Sequence, residues 1–171
     1  MIVFCNSVPS ARSTALSLGE AGYACASLHG DMPPLLRAHE FSLFSTGACQ
    51  LLVATDSAAR GLDFGGGGGA AGVVLFDFPR TPIEYLHRVG RTGRGVGAGG
   101  GGGQVVAQVG KGDEVLARAI ERATARGEDV SVLSADKYAY VPDALKGGYK
   151  AKREAVKARW GAKGADGGKQ R

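Results

Sequence analysis

Five short apolar runs recur along this chain, at residues 2–5, 23–28, 50–54, 72–76 and 104–109, and they restrict the fold more than any other feature. Each has strand length and little polar alternation, the pattern of strands buried on both faces. Segments of helix length stand between most of them, and strands alternating with helices are joined by right-handed crossovers into a parallel sheet. The expected fold class is therefore α/β, a parallel sheet with helices on both faces.

Local punctuation supports this order. Ser7 is a candidate cap for a first helix, with Pro9 in its first turn and Gly22 as its stop. Ala15, Leu16, Leu18 and Ala21 are its expected inward face. Pro33 and Pro34 open a second helix with Leu36, Phe41 and Phe44 inward, ending at Gly47. A short helix is expected at 83–88, an alanine-rich one at 114–126 and a last strand at 130–133.

The 171 residues suffice for one domain with a real core. Glycine is in excess, 29 residues, much of it in runs at 65–69 and 99–103. Such runs lose too much backbone entropy to be element interiors and are read as flexible loops. Gly95, Gly97 and Gly100 spell a dinucleotide-type pattern, but it follows a helix rather than a strand, so it is discounted. Cys5, Cys25 and Cys49 are twenty or more residues apart, which fits no metal motif; free thiols in an intracellular reducing compartment are expected. No apolar stretch approaches the roughly 18 residues of a membrane span. The opening lacks a basic leader, so no signal peptide is expected.

Charge divides the chain. Nine Lys/Arg and two acids from Lys146 onward give +7, against +5 for the whole chain. The body is nearly neutral and the tail makes the protein basic, which points to a polyanionic partner, nucleic acid first. Composition changes near Lys137, so residues 1–135 are read as one domain and 136–171 as a basic, partly disordered tail. Within it, residues 149–160 read as a basic helix, and Tyr149 and Trp160 are available to stack on bases.

The densest chemistry lies in His87-Arg88-Val89-Gly90-Arg91-Thr92-Gly93-Arg94, three arginines and a histidine in eight residues. On a helix Arg91 and Arg94, three apart, share a face and offer two forked donors to one phosphate. The stretch follows an apolar strand, where open α/β sheets bind ligands.

These residues resemble motif VI of the DEAD-box RNA helicases. Residues 52–63, Leu-Val-Ala-Thr-Asp-Ser-Ala-Ala-Arg-Gly-Leu-Asp, resemble motif V of that family. Ile2-Val3-Phe4-Cys5-Asn6-Ser7 resembles motif IV, and Leu28-His29-Gly30-Asp31 resembles a further landmark. The resemblance covers about the first 135 residues and implies a RecA-like fold.

It also implies roles. Arg91 and Arg94 would reach ATP held by another domain, Arg94 as the arginine finger, and His87 would help couple the two halves. Asp63 would accept from the ATP ribose hydroxyls. Ser7, Gly30, Arg37, Thr55 and Asp56 match positions that grip the RNA sugar-phosphate chain. Ser7 stands where threonine is more usual, and Pro34 where glutamine often is. Plainer readings remain open beside these. His87 fits a satisfied interior residue, Arg88 a structural ion pair, Asp63 a cap or a partner for Arg60, and Arg37 a solvated helix position. Thr55 and Asp56 fit caps of a short helix.

No Gly-x-x-x-x-Gly-Lys-Ser/Thr and no Asp-Glu-Ala-Asp occurs in the 171 residues. In the family the phosphate cradle and the Mg²⁺ carboxylates belong to an N-terminal RecA-like domain. The chain is therefore expected to be the C-terminal half of an ATP-dependent RNA helicase, inactive by itself, with RNA, ATP with Mg²⁺ and that N-terminal domain as partners. The other class is a stand-alone RNA-binding or regulatory module. The arginine pair with Asp63 favours the enzyme, since a module freed from ATP chemistry needs none of the three.

Overall fold

A computed structural model describes residues 1–61, 69–93, 102–140 and 147–148. The chain divides into two compact units, Met1–Ala135 and Asp136–Arg171. The first is built on five parallel strands: β1 (Ile2–Cys5), β2 (Cys25–Leu28), β3 (Leu51–Thr55), β4 (Gly72–Leu75) and β5 (Gln104–Ala107). Their order across the sheet is β2-β3-β1-β4-β5. Five helices accompany them: α1 (Val8–Glu20), α2 (Pro34–Ser45), α3 (Asp56–Ala59), α4 (Pro82–Val89) and α5 (Glu114–Ala125). In the described part of the second unit, Lys137–Tyr140 forms a 3₁₀ turn.

Side chains alternate across the central strands, so the sheet makes two cores. Ile2, Phe4, Leu28, Leu52, Val73 and Leu75 point to one face, where Phe41 and Phe44 of α2 and Tyr85 of α4 pack on them. Val3, Cys5 and Val53 point to the other, covered by Ala11, Ala15 and Leu18 of α1. Helices thus lie on both faces, as the apolar runs require. β1, and β3 up to its final Thr55, are apolar throughout and are buried on both sides.

Several expectations need correction. Leu16 is 65% exposed, whereas Ala11 and Thr14 are buried. At about 100° per residue, position 16 lies about 140° around the helix from Ala11, on the solvent side. Leu36 is likewise exposed, while Phe41 and Phe44 of α2 turn inward as expected. Tyr23 and Phe76 fall outside their strands. β5 ends the sheet and is exposed along its whole length, whereas β2 at the other end keeps Ala26 and Leu28 buried. The stretch expected as a last strand forms a 3₁₀ turn, Val130–Val132. The Asp129 carboxylate accepts from the Ser131 amide at 2.8 Å and from the Ser131 hydroxyl at 2.7 Å, a local bond that competes with extended backbone.

Helix ends follow the sequence more closely. The Ser7 hydroxyl accepts from the Ser10 amide, and glycines 22 and 47 adopt φ of +86° and +81° just beyond α1 and α2. Thr81 caps α4 by accepting from the Glu84 amide, and Glu84 reaches back to accept from the Arg80 amide at 2.8 Å. Among the described residues no helix is long and apolar enough to cross a membrane, and all three cysteines are free.

Candidate functional site

Parallel pairing brings the carboxyl ends of all strands to one edge of the sheet. Ser7 follows β1, Gly30 follows β2, and Thr55 ends β3 with Asp56 next to it. Because β2, β3 and β1 are neighbours, these residues come from three adjacent strand ends. Ser7 and Gly30 are exposed, Thr55 is buried, and Arg37 is half-buried in the first turn of α2. The Thr55 side chain does not cap α3; its hydroxyl lies 3.4 Å from that of Ser57.

Arg88 ties the edge together. Among the described residues it is the largest fully buried side chain, 1% exposed. Its Nε and one terminal nitrogen donate to the two carboxylate oxygens of Asp56, at 2.8 and 2.6 Å. The other terminal nitrogen donates to the Asp77 carbonyl at 2.7 Å, and a further bond goes to the Asn6 amide oxygen. The guanidinium carbon sits 5.5 Å from the centre of the Phe4 ring. One fork therefore joins α4 to the ends of β1, β3 and β4. The Asp77 carboxylate adds a second layer, accepting from the Asn6 backbone N–H at 2.8 Å and the Ser10 hydroxyl at 2.6 Å. The ion-pair reading of Arg88 holds, and the Asp56 carboxylate is committed to it rather than to a cap.

His87 is exposed, and α4 ends at Val89 with Gly90 as its cap. Arg91 therefore does not continue the helix, contrary to the expectation that it shares a helical face with Arg94. The Arg91 and Thr92 amides close a tight turn on the carbonyls of Arg88 and Val89, and Gly93 has φ +72°. The turn is fastened to the lead-in of β4: the Ala70 amide donates to the Arg91 carbonyl at 2.8 Å, and the Thr92 hydroxyl donates to the Ala70 carbonyl at 2.6 Å. Gly103 packs against the turn, and a Cβ there would lie 2.1 Å from the Thr92 hydroxyl.

A cleft of about 290 Å³ opens beside this turn, lined by Asp56, Arg60, Ile83, Glu84, His87 and Arg91. It gathers His87, Arg91 and Asp56 of the expected set; Ser7, Gly30, Arg37 and Thr55 do not line it. Asp63 and Arg94 lie outside the described residues, as do residues 149–160 of the tail. The cleft gathers the Arg60 and Arg91 guanidinium groups and the His87 imidazole at a strand-end edge, beside two carboxylates, Asp56 held by Arg88 and Glu84 by the Arg80 amide; the cations suit it to an anionic ligand. Among the described residues no cluster of three or more His, Cys, Asp or Glu could hold a metal ion.

Sequence reasoning missed Asn6, Asp77 and Glu84. Asn6 and Asp77 are polar residues at the ends of apolar runs, and Thr81-x-x-Glu84 is a capping-box spelling, so each left a signal. It also gave His29 no role. This side chain is buried, its Nε2 accepts from Arg12 Nε at 3.4 Å, and its Nδ1 has no partner. Burial, then the Arg12 charge, pushes its pKa down.

The family model described as the helicase conserved C-terminal domain matches residues 1–96. The chain is 38% identical over 138 residues to DEAD-box ATP-dependent RNA helicase 39 of Arabidopsis thaliana, covering 80% of this chain and 21% of that protein. Among solved structures it resembles the E. coli DEAD-box protein SrmB bound to regulator of ribonuclease activity A. There the TM-score is 0.61 at 34% identity, over 71% of this chain and 67% of that one. It also resembles the RNA helicase Prp28 of Chaetomium thermophilum bound to ADP, with TM-score 0.59 at 29% identity over 74% and 30% of the two chains. The chain spans about a fifth of the length of the curated relatives it matches.

Proposed function

The chain belongs to the family of helicase conserved C-terminal domains, with the RecA-like fold of its DEAD-box members, and from that premise we propose that it forms one wall of an ATP site and one wall of an RNA site in an ATP-dependent RNA helicase. The observation that carries this reading is the cleft where Arg91 and His87 stand beside the buried Arg88–Asp56 tie.

Phosphoryl transfer to water asks the protein for positioning and for cations where charge shifts in the transition state. Arg91 and Arg94 supply those cations at the γ-phosphate, and Asp63 accepts from the ribose hydroxyls. Arg88, held by four hydrogen bonds, fixes the helix end from which Arg91 projects. Mg²⁺ neutralises the phosphates when bound, and its carboxylates come from an N-terminal RecA-like domain of the same or another chain.

Ser7, Gly30, Arg37, Thr55 and Asp56 form the RNA wall. Three adjacent strand ends and a nearby helix start suit a sugar-phosphate chain, which such contacts grip without reading sequence. Asp56 has its carboxylate on Arg88, so its share of this grip runs through its backbone. The intact enzyme clamps and bends single-stranded RNA on binding ATP and releases it after hydrolysis.

The test is RNA-stimulated phosphate release. The 171-residue chain alone is expected to release none. Joined to the N-terminal RecA-like domain of a DEAD-box relative, it is expected to hydrolyse ATP. RNA-stimulated release by the chain alone, abolished by Arg94→Ala, would refute the half-site reading.

A further inference from the structure

Arg12 and Arg88 stand at the carboxyl edge of the sheet in opposite states. Arg88 is buried, and its bonds to the Asp56 carboxylate measure 2.8 and 2.6 Å. Arg12, in the second turn of α1, is 59% exposed and loosely held. Its Nε donates to His29 Nε2 at 3.4 Å, and a terminal nitrogen donates to the Asp31 carboxylate at 3.3 Å. The charge-assisted bonds of a committed arginine run at about 2.7–2.9 Å. Burial, then the Arg12 charge, pushes the His29 pKa down, so the imidazole stays neutral and accepts from Arg12 rather than repelling it.

The two partners of Arg12 fix where it stands. His29 and Asp31 lie on either side of Gly30, and neighbouring Cα atoms are about 3.8 Å apart. A guanidinium that bridges them therefore lies beside the Gly30 backbone. A Cβ at Gly30 would meet nothing within 4 Å, so a ligand can approach the chain closely there. α1 covers one face of the sheet and α2, which carries Arg37, covers the other. Arg12 thus reaches this edge from the face opposite the helix of Arg37. The Asp31 side chain is 59% exposed as well, and an ion pair this open to water adds little. A phosphate can replace the carboxylate and accept two parallel N–H groups from the same fork.

We propose that Arg12 is a further RNA-binding residue, which releases Asp31 to hold a backbone phosphate of the strand that crosses Gly30. The inference rests on the RNA wall proposed above and adds a residue to it. Of the residues placed in that wall, Arg37 alone brings a side-chain cation, and the Asp56 carboxylate is held by Arg88. Arg12 supplies a second cation, at the end of β2 and on the α1 side. Its contact carries charge and no base identity, which is what a grip on the sugar-phosphate chain requires.

Fluorescence anisotropy of a labelled oligouridylate with the full 171-residue chain, over a series of KCl concentrations, tests it. Arg12→Ala is expected to weaken binding about tenfold and to make the salt slope shallower by about 0.7, the share of one phosphate on a single strand. Arg12→Lys keeps the charge and is expected to keep the slope. Asp31→Asn breaks the same ion pair but leaves the cation, so binding is expected not to weaken. It would weaken if Arg12 only braced the loop. Arg118→Ala removes a similarly exposed charge from α5 and is expected to change neither quantity. Circular dichroism checks that each variant keeps its secondary structure. Binding by Arg12→Ala equal to the unaltered chain overturns the proposal. If Arg37→Ala still weakens binding in that case, the RNA wall stands without Arg12; if it does not, the wall falls too. A loss with Asp31→Asn or Arg118→Ala as large as that with Arg12→Ala also overturns the proposal, and a chain that binds no RNA overturns both readings.

Discussion

Replacing Arg88 with methionine removes the fork that joins three strand ends while keeping much of the side chain's apolar volume. The side chain is 1% exposed and its partner Asp56 is 27% exposed. Truncating one member of a buried ion pair costs about 3–5 kcal/mol, mostly the penalty of leaving the other charge unpaired. Partial access of water to Asp56 argues for the lower end of that range. Against it, the Asp77 carbonyl and the Asn6 amide oxygen also lose their donor, at about 1 kcal/mol each. The expected loss is about 5 kcal/mol, a large part of the roughly 5–15 kcal/mol that holds a domain folded. Arg88→Lys keeps the charge but not the planar fork, and about 2 kcal/mol should go. Urea unfolding followed by far-ultraviolet circular dichroism measures both. In a double-mutant cycle, Asp56→Ala should cost less in the Arg88→Met background than in the wild type, by about 1–3 kcal/mol. A loss below 1 kcal/mol for Arg88→Met, or strict additivity with Asp56→Ala, would refute Arg88 as the tie of this edge.

Other perturbations follow from the same geometry. Gly103→Ala forces a methyl into the Thr92 hydroxyl and the Gly93 backbone and should cost about 1–3 kcal/mol by thermal melting, whereas Gly102→Ala, with nothing within 4 Å, should be near neutral. His29 has a pKa below its ordinary value of about 6.5, so the unfolded chain binds a proton before the folded one does. The stability contributed by neutral His29 is therefore complete near pH 7 and falls as pH drops below about 6.5; His29→Asn should flatten the stability profile there, and an unchanged slope would count against it. Deleting residues 146–171 removes a balance of +7 and should flatten the salt dependence of RNA binding, while an unchanged slope would exclude the tail as an RNA anchor.

The parts of the fold that were readable in the sequence are those where one residue type answers to one environment. β1, and β3 up to its final Thr55, are apolar and lie inside the sheet with helices on both sides. β5 is nearly as apolar yet is exposed, while β2 at the opposite end of the sheet keeps Ala26 and Leu28 in the core; what packs on a strand is a long-range fact that no local window contains. The arginine stretch shows the same division. Its three arginines look alike in the sequence, but Arg88 is buried and Arg91 lines an open cleft. What separates them is Asn6, Asp56 and Asp77, arriving from three strand ends up to 82 residues away. The end of α4 was more legible than the helical-face argument allowed. Gly90 and Gly93 are stop signals, and the turn they make, rather than a continued helix, sets where Arg91 projects. At 130–133 a run of strand type lost to Asp129, whose short carboxylate gave the next turn a local bond.

Arg91, in the turn after α4, and Arg94 are proposed to act as cations at the transferring phosphoryl group. Single-turnover ATP hydrolysis in the two-domain fusion checks this, comparing the unaltered protein with Arg91→Ala and Arg94→Ala. A transition-state arginine is worth about 10³–10⁵ in rate, so each substitution should slow hydrolysis by about that factor while nucleotide-free RNA binding is retained. Hydrolysis within a few-fold of the unaltered fusion would contradict the account.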